Sequence, residues 1–268
     1  MREEESVSTV VGAFHWIGVA TLAQLNALFL AAFLLQHTLR ALFRLAFLNR
    51  AVGSVLVRQV YFSAVQGLPF YALAALIIGS LAGHYVLTVL LGFGVTDQIG
   101  KYLNRTMLEE IAPIVASLLL LVRSGQAVAS EVSLMKINNE LETLRMLHID
   151  PVRYVFFPRI LAFALCGPIL SFLFALVGLW GSFFILAFIH DIHFYAYMDQ
   201  IVYSLELKSV IFLLAKPFFM ALGIVLAALN SALSAARAFT QVPIRLIQAM
   251  THSFGVILVV ETLFVFFK

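Results

Sequence analysis

The sequence predicts an all-α integral membrane protein, and three observations carry that prediction. Hydrophobic residues fill 62% of the 268 positions and charged residues 12%, against about 25% charged in a soluble domain. Five apolar stretches are each long enough to cross a bilayer core of about 30 Å, which takes roughly 20 helical residues. The bases fall unevenly between alternate loops, as they do around membrane spans. Helices are expected because backbone groups in hydrocarbon must be satisfied within their own segment. The single cysteine, Cys166, lies in an apolar stretch, so an intrachain disulfide and a cysteine metal cage are both excluded. A formal charge of +3 gives no reason to expect a nucleic-acid partner.

The chain opens with Arg2 followed by Glu3, Glu4 and Glu5. That is not the positive start of a signal peptide, so the hydrophobic segments are expected to remain in the mature protein. Residues 1–58 are read as an N-terminal cytoplasmic and interfacial segment, and residues 59–268 as the membrane domain. Within the first part, residues 10–35 are apolar enough to cross, but His15, Gln24 and Asn26 interrupt them. They run into His37, Arg40 and Arg44, opposed by Leu35, Leu39, Leu42 and Phe43, a pattern of a helix lying at the interface. A sixth span is the alternative. The spans themselves are expected at about 63–91, 107–129, 154–188, 209–235 and 246–267. The first carries "GSLAG", whose Gly79 and Gly83 let helix backbones approach closely, within one subunit or between two. The third holds Pro158, Gly167 and Pro168, places for a kink.

With five spans the termini lie on opposite sides. An internal N-terminus gives the cytoplasm Arg2, Arg40, Arg44, Arg50, Arg58, Arg123, Lys136, Arg145, Arg153, Arg159, Arg237 and Arg245. The far side then keeps Lys101, Arg105, Lys208 and Lys268. The excess sets the N-terminus inside and the C-terminus outside.

One cytoplasmic segment differs from its surroundings. Over about residues 131–148, Leu134, Ile137, Leu141 and Leu144 recur at steps of three and four, with Lys136, Asn139 and Thr143 opposite, which predicts an amphipathic helix. Ile149 and Asp150 precede Pro151, where the helix must end. Asp150 can cap a new helix that has Pro151 at its first position. Such a helix either resolves the turn between spans or offers a knob to a partner's groove.

The stretch "VRSGQAVASEVSLMKINNELETLRMLHIDPVRYVFFPR" resembles the MlaE-type permeases, membrane subunits of bacterial ABC transporters that work with MCE-domain proteins on phospholipids. Arg123, Gly125, Glu131, Met135, Leu144, Asp150, Pro151, Pro158 and Arg159 coincide with the family pattern at unbroken spacing. The likeness covers roughly residues 58–268, with Glu110 and Pro113 in "LEEIAP", Lys216 in "LLAKPFF", Gly79, Gly83 and Glu261 also at family positions. The family's glutamate-glutamine pair is replaced by Asn139 and Glu140, and Ala or bulkier residues replace glycines in "NSALSAARAFTQVPIRL".

The resemblance implies a non-catalytic permease of the bacterial inner membrane, with its C-terminus periplasmic. It further implies a homodimer of five-span subunits, a cytoplasmic ABC ATPase, an MCE-domain protein and a small STAS-like regulatory subunit. ATP and Mg would be held by the ATPase, and no cofactor by this chain. The work would serve outer-membrane lipid asymmetry or lipid trafficking. The segment 131–148 would be the coupling helix, seated by Leu134, Met135, Ile137, Leu141 and Leu144, with Glu131 and Glu140 as polar contacts and Asp150 and Pro151 at its corner. No G-x-x-x-x-G-K-[ST] phosphate loop occurs in the sequence.

An ionised group at the centre of a span costs about 2.5–3.5 kcal/mol on insertion scales, so such groups face a cavity or one another. Glu110 and Lys216 are therefore expected to line a polar lipid path. An ion-coupled secondary transporter is the rival reading, with Glu110, Lys216 and Glu261 as an intramembrane relay. A third reading is an intramembrane lipid enzyme using His190, Asp191 and His193. Beside Phe194, Tyr195 and Tyr197 these three are better read as part of an aromatic belt than as metal ligands. No other spacing marks a metal site or a catalytic group.

Overall fold

The computed structural model describes residues 29–43, 50–94, 99–190, 193–236 and 238–267. Among these residues every regular element is helical, and five helical runs are long and apolar enough to cross a membrane. The runs are Arg50–Phe93, Ile99–Ile137, Val152–Ile189, Leu207–Leu233 and Gln241–Phe266. A shorter apolar helix, α1 (Phe29–Phe43), precedes them. Of the expected interfacial segment 10–35, residues up to 28 lie outside the described residues.

The first two helical runs outrun the apolar stretches that predicted them, whereas the fourth is as long as expected. The second span, expected at about 107–129, runs from Ile99 to Ile137. Hydropathy ends at the first charges, whereas the backbone ladder needs no apolar side chain to continue. The first span joins α2 (Arg50–Ser63) to α3 (Leu68–Phe93) through a 3₁₀ turn, Val65–Gly67. The boundary expected after residue 58 lies inside α2. At the other end of α3, Gly94 takes φ +69° and its N–H bonds back to the Leu90 and Leu91 carbonyls, which stops the helix.

The second span is built of α4 (Ile99–Asn104), a π segment (Arg105–Ile111), α5 (Ala112–Leu120), a second π segment (Leu121–Gly125) and α6 (Gln126–Ile137). After α7 (Glu140–Met146), a third π segment (Val152–Phe156) opens into α8 (Phe157–His190), which carries Pro168 in its interior. Then come α9 (Phe194–Tyr203), α10 (Leu207–Leu233) and α11 (Gln241–Phe266).

Helix α8 is the axis of the core, packing on α2, α3, α5 and α10. Its contact with α3 is made by Gly79, where an added Cβ would collide with the Gly178 backbone, and by Gly83 against Ser182. The Ser182 hydroxyl donates to the Gly79 carbonyl at 2.7 Å. Both glycines singled out for helix packing thus pack inside this chain. Gly167 lies equally close to the Pro217 carbonyl, bringing the proline sites of α8 and α10 together. Helix α11 stands apart: 17% of its most apolar stretch is buried, against 50% for α10 and 56% for the third span.

The expected single helix over residues 131–148 is not formed. Residues 131–137 are the last turns of α6, and only Glu140–Met146 stands as the separate helix α7. The break is at Asn138 and Asn139. Asn139 takes a left-handed φ of 57°, a conformation its short amide side chain tolerates better than most. Apolar spacing of three and four continued through the break, so periodicity alone concealed it.

A charged centre among three spans

Proline creates the centre's first feature. Pro113 has no N–H to give the Glu109 carbonyl four residues back, and the preceding turn opens into the π segment that holds both Glu109 and Glu110. Lys216 reaches that carbonyl from α10, with Nζ donating at 2.7 Å. It sits nine residues on from Leu207, about 14 Å along the helix, and is 2% exposed.

The same ammonium donates to Glu110 Oε2 at 3.1 Å and to Glu261 Oε1 on α11 at 2.7 Å. An ammonium has three protons, and here each has an acceptor. That satisfaction, with two carboxylates at ion-pair distance, offsets the cost of taking the charge out of water. The two carboxylates are less buried than the lysine, so the centre opens at its acidic side. It can hold a charged group by exchanging acceptors on Lys216.

Glu109 faces the other way. Its Oε1 accepts from the Ser209 hydroxyl at 2.8 Å, and its Oε2 stands 3.5 Å from Arg105 Nε. Sequence reading did not select Glu109. The available signal was its place four residues before Pro113.

The opposite end of the bundle carries the motif residues. Glu131 on α6 pairs with Arg159 Nη2 at 2.8 Å, while Arg159 Nη1 donates to the Val155 carbonyl at 2.8 Å. Lys136 Nζ donates to the carbonyl of Leu233, the last residue of α10, which satisfies one of the carbonyls a helix end leaves open. Lys136 was read from the sequence as part of a polar outer face; it ties α6 to the helix that carries Lys216. Arg159 was read only as a motif match, and it is Glu131's partner.

Beside this pair lies a groove of about 630 Å³, lined in part by Glu131, Leu134, Met135, Glu140, Arg58 and Tyr154. Leu141 is buried, while Ile137 and Leu144 are half-buried. The Asp150 carboxylate accepts from the Val152 N–H at 2.9 Å beside the buried Pro151. Much of the predicted stripe therefore packs on its own chain. The exposed apolar side chains are Leu134, beside the groove, and Met146, Leu147 and Ile149, around a turn where His148 has φ 58°. Sequence reading missed this tip because it lies beyond the regular stripe.

Among the described residues no group of three His, Cys, Asp or Glu is placed to hold a metal. Of the His190, Asp191 and His193 run, Asp191 lies outside the described residues. Phe194 and Tyr197 pack on Phe183 with ring centroids 5.2 and 5.5 Å apart.

Comparison with known proteins adds the family. The model of the permease MlaE family matches residues 56–267. The intermembrane phospholipid transport system permease protein MlaE of Haemophilus influenzae is 36% identical over 128 residues, 48% of this chain and 49% of that protein. A probable ABC transporter permease protein of Rickettsia felis is 25% identical over 158 residues, 59% of this chain and 61% of its own length. One from Synechocystis is 30% identical over 128 residues, 45% and 49% of the two chains. The matched part of the chain thus spans about half to three-fifths of these relatives.

Proposed function

Because the chain belongs to the MlaE permease family, we propose that it is the transmembrane permease subunit of an ABC-type transporter that moves phospholipid. The observation that carries this reading is the Lys216 centre. It is a buried ammonium held by Glu109, Glu110 and Glu261 where three spans meet, a polar station in an otherwise apolar interior. A lipid phosphate can compete for such an ammonium, and Glu110 and Lys216 then line the lipid path.

The partners follow the same reading. ATP and Mg are bound by a separate cytoplasmic ATPase, a second copy of this chain completes the permease, and an MCE-domain protein exchanges lipid on the far side. A small STAS-like subunit is a further expected regulator. The chain sits in a bacterial inner membrane with its N-terminus inside and its C-terminus in the periplasm, in keeping with the loop charges. Such transport would serve outer-membrane lipid asymmetry or lipid trafficking. The chain itself breaks no covalent bond.

Coupling runs through the cytoplasmic end. The exposed tip at Met146, Leu147 and Ile149 suits an ATPase groove, and the ties from Glu131 to Arg159 and from Lys136 to Leu233 link that tip to the third and fourth spans. ATP held between the ATPases then favours one arrangement of the spans over another.

The test is transport of labelled phospholipid by the full chain reconstituted with its ATPase. ATP should drive it, and Lys216→Met and Glu110→Gln should each abolish it; wild-type rates in both variants would overturn the assignment. A second reading, an ion-coupled transporter, is favoured by the meeting of Glu110, Lys216 and Glu261 that a relay requires. Transport driven by an ion gradient with no ATPase present would replace the first reading with this one.

A further inference from the structure

A cavity of about 210 Å³ opens at the Lys101 end of the bundle, between the start of the second span, the turn after α9 and the start of α10. In a chain with so few charged residues, all seven side chains that line it are polar or charged. Lys101, Arg105 and Lys208 supply three cations; Glu109 and Glu206 supply two carboxylates; Ser204 and Ser209 supply hydroxyls. The formal balance is one positive charge.

Its floor is built. Glu109 and Ser209 are each 4% exposed and hydrogen-bonded to one another, with Arg105 alongside. One wall is fixed by the buried Asn104, whose amide donates to the Ile201 carbonyl at 2.7 Å and to the Ser204 hydroxyl at 2.8 Å. Glu109 also joins the cavity to the Lys216 centre: its carboxylate faces the cavity, and its carbonyl accepts from Lys216. The cavity and the ion-pair centre therefore lie on either side of one residue.

Resting on the permease reading above, we propose that this cavity is a headgroup station for a zwitterionic phosphoethanolamine lipid at the outer end of the path. The phosphodiester lies among Lys101, Arg105 and Lys208, and the amine against Glu206. A purely anionic headgroup would satisfy the cations but would set an anion beside Glu206. A headgroup carrying both signs satisfies both sets, and charge-assisted hydrogen bonds of this kind are roughly twice as strong as neutral ones. Lys101, Glu206 and Lys208 lie at the starts of their helices, which is where a headgroup layer lies.

The experiment titrates the detergent-solubilised full chain with dihexanoyl phosphatidylethanolamine, dihexanoyl phosphatidylglycerol and inorganic phosphate, following heat. The wild type should bind the ethanolamine lipid most tightly. K101Q/K208Q, changed at exposed positions, should bind it at least tenfold more weakly, and E206Q should bind the two lipids alike. Unchanged affinity in K101Q/K208Q would overturn the station. Displacement of the lipid by inorganic phosphate at equal concentration would overturn it as well, marking a plain anion site. Transport separates the two readings. A complex that moves phospholipid with ATP while K101Q/K208Q binds and transports normally loses the station and keeps the permease. A wild-type complex that moves no phospholipid loses the permease, while the titration still decides what the cavity holds.

Discussion

Among the described residues, the Lys216 centre and the Glu131–Arg159 pair lie toward opposite ends of the second span, and they solve different problems. At the Lys216 centre the cation is buried and draws acceptors from two other helices, including a main-chain carbonyl. At the Glu131–Arg159 pair the guanidinium is buried at 5% exposure, but its carboxylate partner is 57% exposed. Water can replace protein for Glu131; at Lys216 there is little water to do so. The first centre is therefore costly to break and suited to a path for charged headgroups. The second, with one partner open to water, is cheaper to part.

The sharpest way to break this contrast is at Lys216. Lys216→Met leaves the part-buried Glu110 and Glu261 facing each other without their cation, a loss toward the lower end of the about 3–5 kcal/mol that breaking a buried pair costs. Thermal unfolding in detergent should show the loss, and lipid transport should cease. Converting Glu110 and Glu261 to Gln in the same chain should restore most of the stability and none of the transport. Recovery of transport would show that the charges are structural.

Arg159→Ala should cost less, about 1.5–3 kcal/mol, as for a hydrogen bond to a charged group, because Glu131 can turn to water. Unfolding of this variant beside Lys216→Met tests the ranking directly; an equal or larger loss would place the costlier charge at the surface end. Glu131→Gln should be milder still, about 1 kcal/mol, because the Gln amide oxygen can still accept from the buried Arg159 guanidinium. The smallest effect on folding is expected at the tip. Met146→Asp with Leu147→Asp should shift stability by no more than about 0.5 kcal/mol, yet abolish co-purification of the ATPase. A retained complex would mean that the motor grips another surface.

How much was legible beforehand differs between the two centres. Span number, helical class and the family likeness were readable because each depends on local composition or spacing. Glu110 and Lys216 were legible as charges in apolar runs, since a span must explain any charge it carries. Glu109 was not chosen, because Ser209 and Lys216, which bind its carboxylate and its freed carbonyl, are placed only by how α10 lies against the π segment. The rod predicted over residues 131–148 failed at Asn139, since a left-handed residue breaks a helix without interrupting its apolar spacing. Lys136 looked solvated for a related reason: what it reaches, the Leu233 carbonyl, is almost a hundred residues away.

By itself, the order of amino acids determined the helical membrane class, the five spans found among the described residues and which charged residues needed explaining. Hydropathy over some twenty residues and the fixed geometry of a helix suffice for that. Which charges meet, which glycines touch and which apolar side chains stay uncovered was decided only when α3, α8, α10 and α11 packed together. An ammonium's acceptors are set by distances of about 3 Å, and only packing places residues far apart in the chain at such distances.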